Sequence, residues 1–171
     1  DIEKIKASML EEQKAKTSKE LEKIKESFQR EWKRIPESAK QKELEEVSIA
    51  FTYNTNAIEG STITLAETRE IIRDKIAPNK PLRDIKETES HAKVFLKILG
   101  AREKITKELL LKWHKEIFGE TKPDMAGIFR TYHIRVGSYI GPDHQDVENL
   151  MSALMDFIIK SELNPVELSG R

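Results

Sequence analysis

Residues 44–72 read LEEVSIAFTYNTNAIEGSTITLAETREII, and this stretch decides the fold. Leu44, Val47, Phe51 and Ile58 recur at the three-, four- and seven-residue spacings of one helix face. Gly60 follows them, and glycine enters the left-handed conformation that ends a helix at no steric cost. Thr64-Leu65-Ala66-Glu67 has the pattern of a capping box, so another helix is expected to open there and continue through Ile71 and Ile72. The helix end before Gly60 has an odd composition. Its Thr and Asn residues are mediocre helix formers, and Glu59 in the last turn opposes the macrodipole at a cost of about 0.3–1 kcal/mol. A carboxylate set against the local preference suggests a cation meant to meet it. Taken alone, the commoner reading is a polar, solvated helix end.

Upstream, Leu21, Ile24, Phe28, Trp32 and Ile35 mark one face of a long helix that breaks at Pro36. Downstream, Pro78 and Pro81 flank a loop. One helix is expected from about Asp84 to Leu99, stopped by Gly100, and another from Thr106 to Phe118, capped at Gly119. The strand signal is local: Tyr132, Ile134 and Val136 alternate with Thr131, His133 and Arg135. Gly137-Ser138 suits a two-residue turn, and Tyr139-Ile140 can return as the second strand before Gly141-Pro142. A later helix carries Val147, Leu150, Met151, Leu154 and Ile158 as its expected buried stripe. Pro165 after Asn164 suits the first turn of one more. The expected architecture is therefore all-α with one β-hairpin. A helical N-terminal extension spans 1–42 and a core spans 43–171.

Composition narrows the function. Of 171 residues, 37% are hydrophobic and 35% charged, so the core must be drawn from narrow helix stripes. Lys plus Arg and Asp plus Glu are both 30, which argues against a nucleic-acid footprint over the whole region. Cysteine is absent, so disulfides, thiolate metal sites and a cysteine nucleophile are excluded. No apolar run is long enough to cross a bilayer, which makes a cytoplasmic protein without membrane partners the default. His91, His114, His133 and His144 are scattered with no metal-site spacing, so no metal ligands are assigned. There is no Gly-rich phosphate loop. Trp32 and Trp113 fall on apolar stripes and are expected in the core.

Thr55-x-x-x-Glu59-Gly60 resembles the inhibitory motif of Fic proteins, Ser/Thr-x-x-x-Glu-Gly/Asn. The run Asn56-Ala57-Ile58-Glu59-Gly60-Ser61-Thr62-Ile63-Thr64-Leu65 is similar to the family's approach to its core. Ala126-Gly127-Ile128-Phe129-Arg130 resembles the Gly-x-x-Arg element that precedes the family's flap. Pro142, the helix from Val147 and Asn164-Pro165-Val166-Glu167-Leu168 follow in the expected order. The resemblance covers about residues 44–171 and implies a Fic-like helical bundle. The implied activity is transfer of AMP from ATP to a hydroxyl side chain of a target protein, with Mg²⁺ on the phosphates. Glu59 would pair with an arginine that otherwise holds the ATP γ-phosphate, and Thr55 would help orient it. In some members this Glu instead positions water for AMP removal. Val136, Gly137, Ser138, Tyr139 and Ile140 would form the flap tip where an extended target segment docks, and Gly127 and Arg130 the pre-flap element.

The family's catalytic loop, His-Pro-Phe-x-x-Gly-Asn-Gly-Arg, has no match in these residues. The chain is therefore expected to stop short of that loop, to contain no catalytic residue and to be inactive alone, as part of an autoinhibited adenylyltransferase. The alternative is a non-catalytic, antitoxin-like regulator acting on a Fic partner. The long amphipathic N-terminus also suits self-association into a homo-oligomer.

Overall fold

The computed structural model describes residues 2–170, and Asp1 and Arg171 lie outside them. The chain divides into two compact units, Asp1–Glu43 with Glu162–Arg171, and Leu44–Ser161. In the first unit, α1 (Ile2–Arg34) carries Glu3 in its first turn and Lys33 and Arg34 in its last, complementing the helix dipole at both ends. Phe28 and Trp32, one turn apart, stack with ring centroids 5.5 Å apart. Pro36 separates α1 from α2 (Glu37–Ile58), as its missing N–H dictates. Helix α7 (Pro165–Ser169) has proline at its start, and the Asn164 side chain accepts from the Val166 amide. Asn164 Nδ2 also donates to Glu22 of α1 at 3.4 Å.

The second unit is built on the C-terminal part of α2. The residues that α2 buries are Ser48, Ile49, Thr52 and Asn56, while Val47 and Phe51 are 50% and 45% exposed and Ile58 is 85% exposed. The most deeply buried line of α2 is thus offset from the apolar pattern, although Phe51 still packs at its edge. Ser48, Thr52 and Asn56 stand one turn apart and are all buried. Asn56 Nδ2 donates to Thr88 Oγ1 at 2.9 Å in a buried bond, and Thr88 Oγ1 donates in turn to the Asp84 carbonyl at 2.8 Å. Phe51 stacks on Phe95 at 4.2 Å between centroids.

The Thr64–Glu67 capping box is present, with the Glu67 amide donating to Thr64 Oγ1 at 3.2 Å and the Thr64 amide to Glu67 at 2.8 Å. The helix it opens, α3 (Leu65–Arg69), does not continue as an α-helix through Ile71 and Ile72. It widens into a π-turn, Glu70–Asp74, closed by Lys75 in the left-handed region. The wider turn buries both isoleucines. Ile72 joins Ile49 and Ala92, and Ile71 joins Ile63 and Ile85. Each buried isoleucine contributes about 1.5–3 kcal/mol. Arg73 pairs with Glu45 at 2.7 Å and with Glu46, and Arg69 reaches Glu46 at 3.3 Å, so α2 and the π-turn are also tied at their rim.

Helix α4 (Leu82–Gly100) packs on α5 (Lys107–Phe118), whose Thr106 cap accepts from the Leu109 amide. Strands β1 (Arg135–Val136) and β2 (Tyr139–Ile140) pair antiparallel, with Val136 opposite Tyr139 across Gly137 at φ +60°. The ladder is shorter than the alternation from Thr131 suggests, because Arg130 claims the Tyr132 carbonyl before the strand begins. Helix α6 (Val147–Lys160) buries Met155, while Leu150 and Leu154 of the expected stripe are exposed. Its inward line is Val147, Met151, Met155 and Ile158. Among the described residues no helix is long and apolar enough to cross a membrane.

The hydroxyls of Ser48 and Thr52 are buried without hydrogen-bond partners. An unmet buried hydroxyl costs on the order of 1–3 kcal/mol. Thr52→Val should therefore stabilise the chain by about 1 kcal/mol in urea unfolding, whereas Asn56→Ala should cost about 1–3 kcal/mol. A destabilised Thr52→Val would contradict this account of the α2 face.

Candidate functional site

Helix α2 ends at Ile58 because Gly60, at φ +84°, turns the chain out of the helix. The Glu59 amide still donates to the Thr55 carbonyl at 3.3 Å, and the Ser61 amide returns to the Asn56 carbonyl at 2.9 Å. Thr55 and Glu59 are thus one turn apart as their spacing implies, and the bond between them is a main-chain one. The side chain that anchors this turn is Asn56, through Thr88 on α4. Beyond the turn, Lys80 Nζ donates to the Thr62 carbonyl at 2.7 Å and fixes the segment leading to α3.

Glu59 stands exposed on the edge of a polar cleft lined also by Asn56, Arg83, Glu87, His91 and Lys122. Arg83 and Lys122 are both taken by Glu87. Arg83 Nε lies 3.3 Å from Oε1 without hydrogen-bond alignment, and Lys122 Nζ donates to Oε2 at 3.3 Å. Lys122 also sits 4.3 Å over the Phe118 ring. Glu59 makes no ion pair or side-chain hydrogen bond among the described residues. Three acidic residues line the cleft, Glu59, Asp84 and Glu87, and Glu87 holds both local cations.

His91, half-buried and edge-on to Phe118 at 5.7 Å, is held below the usual imidazole range by burial, against the pull of Glu87 and Glu59. His114 is lowered by burial and by Lys122. Its Nδ1 accepts from the Gly127 amide at 2.9 Å, which fixes the neutral tautomer. Gly127 is at φ +79°, and a Cβ there would meet Lys115 Cβ at 2.7 Å, so no other residue fits without a shift. Three residues on, Arg130 donates to the Tyr132 carbonyl at 2.7 Å and the Pro142 carbonyl at 2.6 Å, bracing both feet of the hairpin. The tip residues Val136, Gly137, Ser138, Tyr139 and Ile140 are all exposed.

The cleft does not by itself fit the nucleotide and metal that the motifs imply. Its volume of about 100 Å³ is below the roughly 300 Å³ at which small-molecule sites begin. Its acids do not converge on a point. Among the described residues, the three ligating side chains that do converge are His133, Asp143 and His144 at the base of the hairpin. The histidines that look scattered in sequence are therefore brought together in that one pair. Asn56, Arg83, Glu87, His91 and Lys122 were not legible as site residues. Arg83, Glu87 and His91 stand at four-residue spacing on α4, but Asn56 lies on α2 and Lys122 beyond the end of α5, so no local pattern links the three segments.

No protein-family model matches this sequence. Among curated proteins, a protein adenylyltransferase Fic of Nematostella vectensis is 29% identical over 135 residues, 74% of this chain and 32% of that protein. The chain thus spans about a third of that relative. The crystal structure of a Fic family protein from Desulfovibrio desulfuricans matches with a TM-score of 0.69 at 20% identity, over 89% of this chain and 46% of that one. Fic-1 from C. elegans matches with a TM-score of 0.63 at 23% identity, over 90% and 50%.

His91 and His114 set an acid limit on the unit. Above the ordinary imidazole value of about 6.5, folded and unfolded chains are both neutral at these positions. As pH falls from there toward the lowered folded values, only the unfolded chain gains protons, so stability is lost. His114→Asn keeps an acceptor for Gly127 and removes one titration. The drop in melting temperature between about pH 7.5 and 5.5 should shrink in that variant, and an unchanged drop would contradict the assignment.

Proposed function

We propose that the chain, similar to Fic proteins in sequence and in fold, is the regulatory and target-docking part of an autoinhibited protein adenylyltransferase. The observation that carries the proposal is the unpaired Glu59 carboxylate, held on the edge of a cleft whose two cations are occupied by Glu87. An exposed carboxylate just past the end of a helix, on a turn anchored by Asn56, is poised for a cation supplied from outside this unit. In the proposed protein that cation is the arginine of a His-Pro-Phe-x-x-Gly-Asn-Gly-Arg loop. The inhibitory motif is then Thr55, Glu59 and Gly60. With the arginine held by Glu59, it is withdrawn from the γ-phosphate of ATP, and AMP transfer to the target hydroxyl is suppressed.

ATP and Mg²⁺ belong to the complete protein, and no step through either is assigned to residues of this chain. The exposed hairpin supports the second half of the proposal. Val136 and Tyr139 are 70% and 64% exposed, and the short ladder offers free main-chain groups to an extended target segment. Gly127 and Arg130 serve as its mount, through α5 and the two carbonyls that Arg130 grips. AMP removal through a Glu59-oriented water is a further activity the same carboxylate could serve.

The test is intact-mass spectrometry after incubation with ATP and Mg²⁺, on a form of the protein that includes the His-Pro-Phe loop. A charge-assisted pair contributes on the order of 1.5–3 kcal/mol, so Glu59→Gly and Glu59→Gln should each raise AMP incorporation roughly 10- to 100-fold. Incorporation unchanged by both substitutions would overturn autoinhibition. No AMP on any form would favour a non-catalytic regulator acting on a Fic partner.

A further inference from the structure

We infer that His133, Asp143 and His144 bind one divalent cation of the zinc, cobalt and nickel class, clamping the two feet of the hairpin. The inference stands on this cluster alone and does not need the adenylyltransferase proposal. His133 lies just before β1, and Asp143 and His144 lie just after β2. The pairing of Arg135 with Ile140, extended by the Gly141 amide donating to the Ile134 carbonyl at 3.0 Å, sets these segments side by side. One ligand atom from each of the three residues lies within 4.8 Å of the others. Asp143 Oδ1 is 3.2 Å from His144 Nδ1, and Asp143 Oδ2 is 4.0 Å from His133 Nε2. The two imidazole rings meet edge to face at 5.3 Å. Donors at 2.0–2.2 Å from a tetrahedral zinc are roughly 3.3–3.5 Å apart. The shortest separation already matches, and rotation of the exposed His133 side chain closes the rest.

A second observation points to a ligand. His144 Nδ1 is buried and has no hydrogen-bond partner, although a carboxylate oxygen lies 3.2 Å away, off the line a hydrogen bond needs. A buried imidazole nitrogen beside a carboxylate, with a second imidazole ring 5.3 Å away, is suited to a metal. The Asp143 carboxylate is itself oriented, because Oδ1 accepts from the Gln145 amide at 3.0 Å. Two imidazole nitrogens and one carboxylate oxygen suit zinc, cobalt or nickel. Calcium and magnesium prefer all-oxygen sets. Arg130 is the opposing charge. Its electrostatic influence reaches Asp143, and its donors are committed to the Tyr132 and Pro142 carbonyls. It weakens cation binding, which places the expected affinity in the micromolar range.

A bound cation would tie together the segments that Arg130 already braces, so the exposed tip would be carried on a stiffer base. The chain as given can be titrated with Co²⁺ by visible absorption and with Zn²⁺ by calorimetry. The expected result is saturable one-to-one binding, with dissociation constants of about 1–100 µM. His133→Ala, His144→Ala and Asp143→Asn should each weaken it at least about tenfold. His91→Ala, remote from the cluster, should leave it unchanged. Zn²⁺ should also slow amide exchange over residues 133–144. Asp143→Asn keeps the acceptor for Gln145, so its loss of binding is not a folding effect. Absence of saturable binding below about 1 mM would overturn the inference. So would binding unaffected by these substitutions, or binding lost with only one of the two histidines.

Discussion

The buried hydrogen bond from Asn56 to Thr88 is the constraint on which the second unit depends. It is made between two side chains that are nearly or fully inaccessible, at the point where α2 is about to end. Thr88 passes it on to the Asp84 carbonyl, so the amide of one helix is tied to the main chain of the next. In a low-dielectric setting such a chain of bonds is costly to break and fixes rotation as well as distance. The last turn of α2 is held to α4 at this point, and the exposed Glu59 stands at the cleft that Arg83, Glu87 and His91 also line. The isoleucine clusters around Ile49 and Ile71 supply the non-directional stabilisation that lets this directional contact persist.

A second chain of contacts leads from the same cleft to the hairpin. Phe118 and Lys122 line the cleft, Gly127 packs on α5 through His114, and Arg130 grips the hairpin's two feet. The segment from 118 to 130 thus touches the Glu59 neighbourhood at one end and the hairpin at the other. The connection is one of position. It places the Glu59 carboxylate and the exposed hairpin on one scaffold.

Much of this was legible in local chemistry. Pro36, the Thr64–Glu67 box, Gly60, the Gly137 turn and Pro165 after Asn164 each act through a backbone requirement that one or two residues meet, and each stands where its pattern implies. What escaped was decided by tertiary packing. Val47, Phe51 and Ile58 look like the face of α2, yet the residues it buries are Ser48, Ile49, Thr52 and Asn56, of which only Ile49 carries a hydrophobic signal. The π-turn at Glu70–Asp74 escaped because periodicity cannot distinguish it from an α-helix over five residues. The stripe of α6 was misplaced toward Leu150 and Leu154, when Met155 is the buried residue. The Thr55–Glu59 pattern was visible, but the cleft that gives Glu59 its neighbours is assembled from four separate segments.

The central claim is that the buried amide of Asn56 sets where the Glu59 carboxylate stands. It is tested most directly by AMP incorporation into a form of the protein that includes the His-Pro-Phe loop and carries Asn56→Ala, with Glu59 intact and with melting and circular dichroism confirming a folded helix pair. The account predicts that incorporation rises toward the level reached when Glu59 itself is removed, because the carboxylate has lost its anchor. Incorporation that stays at the suppressed wild-type level in a folded Asn56→Ala protein, while loss of Glu59 raises it, would contradict the account.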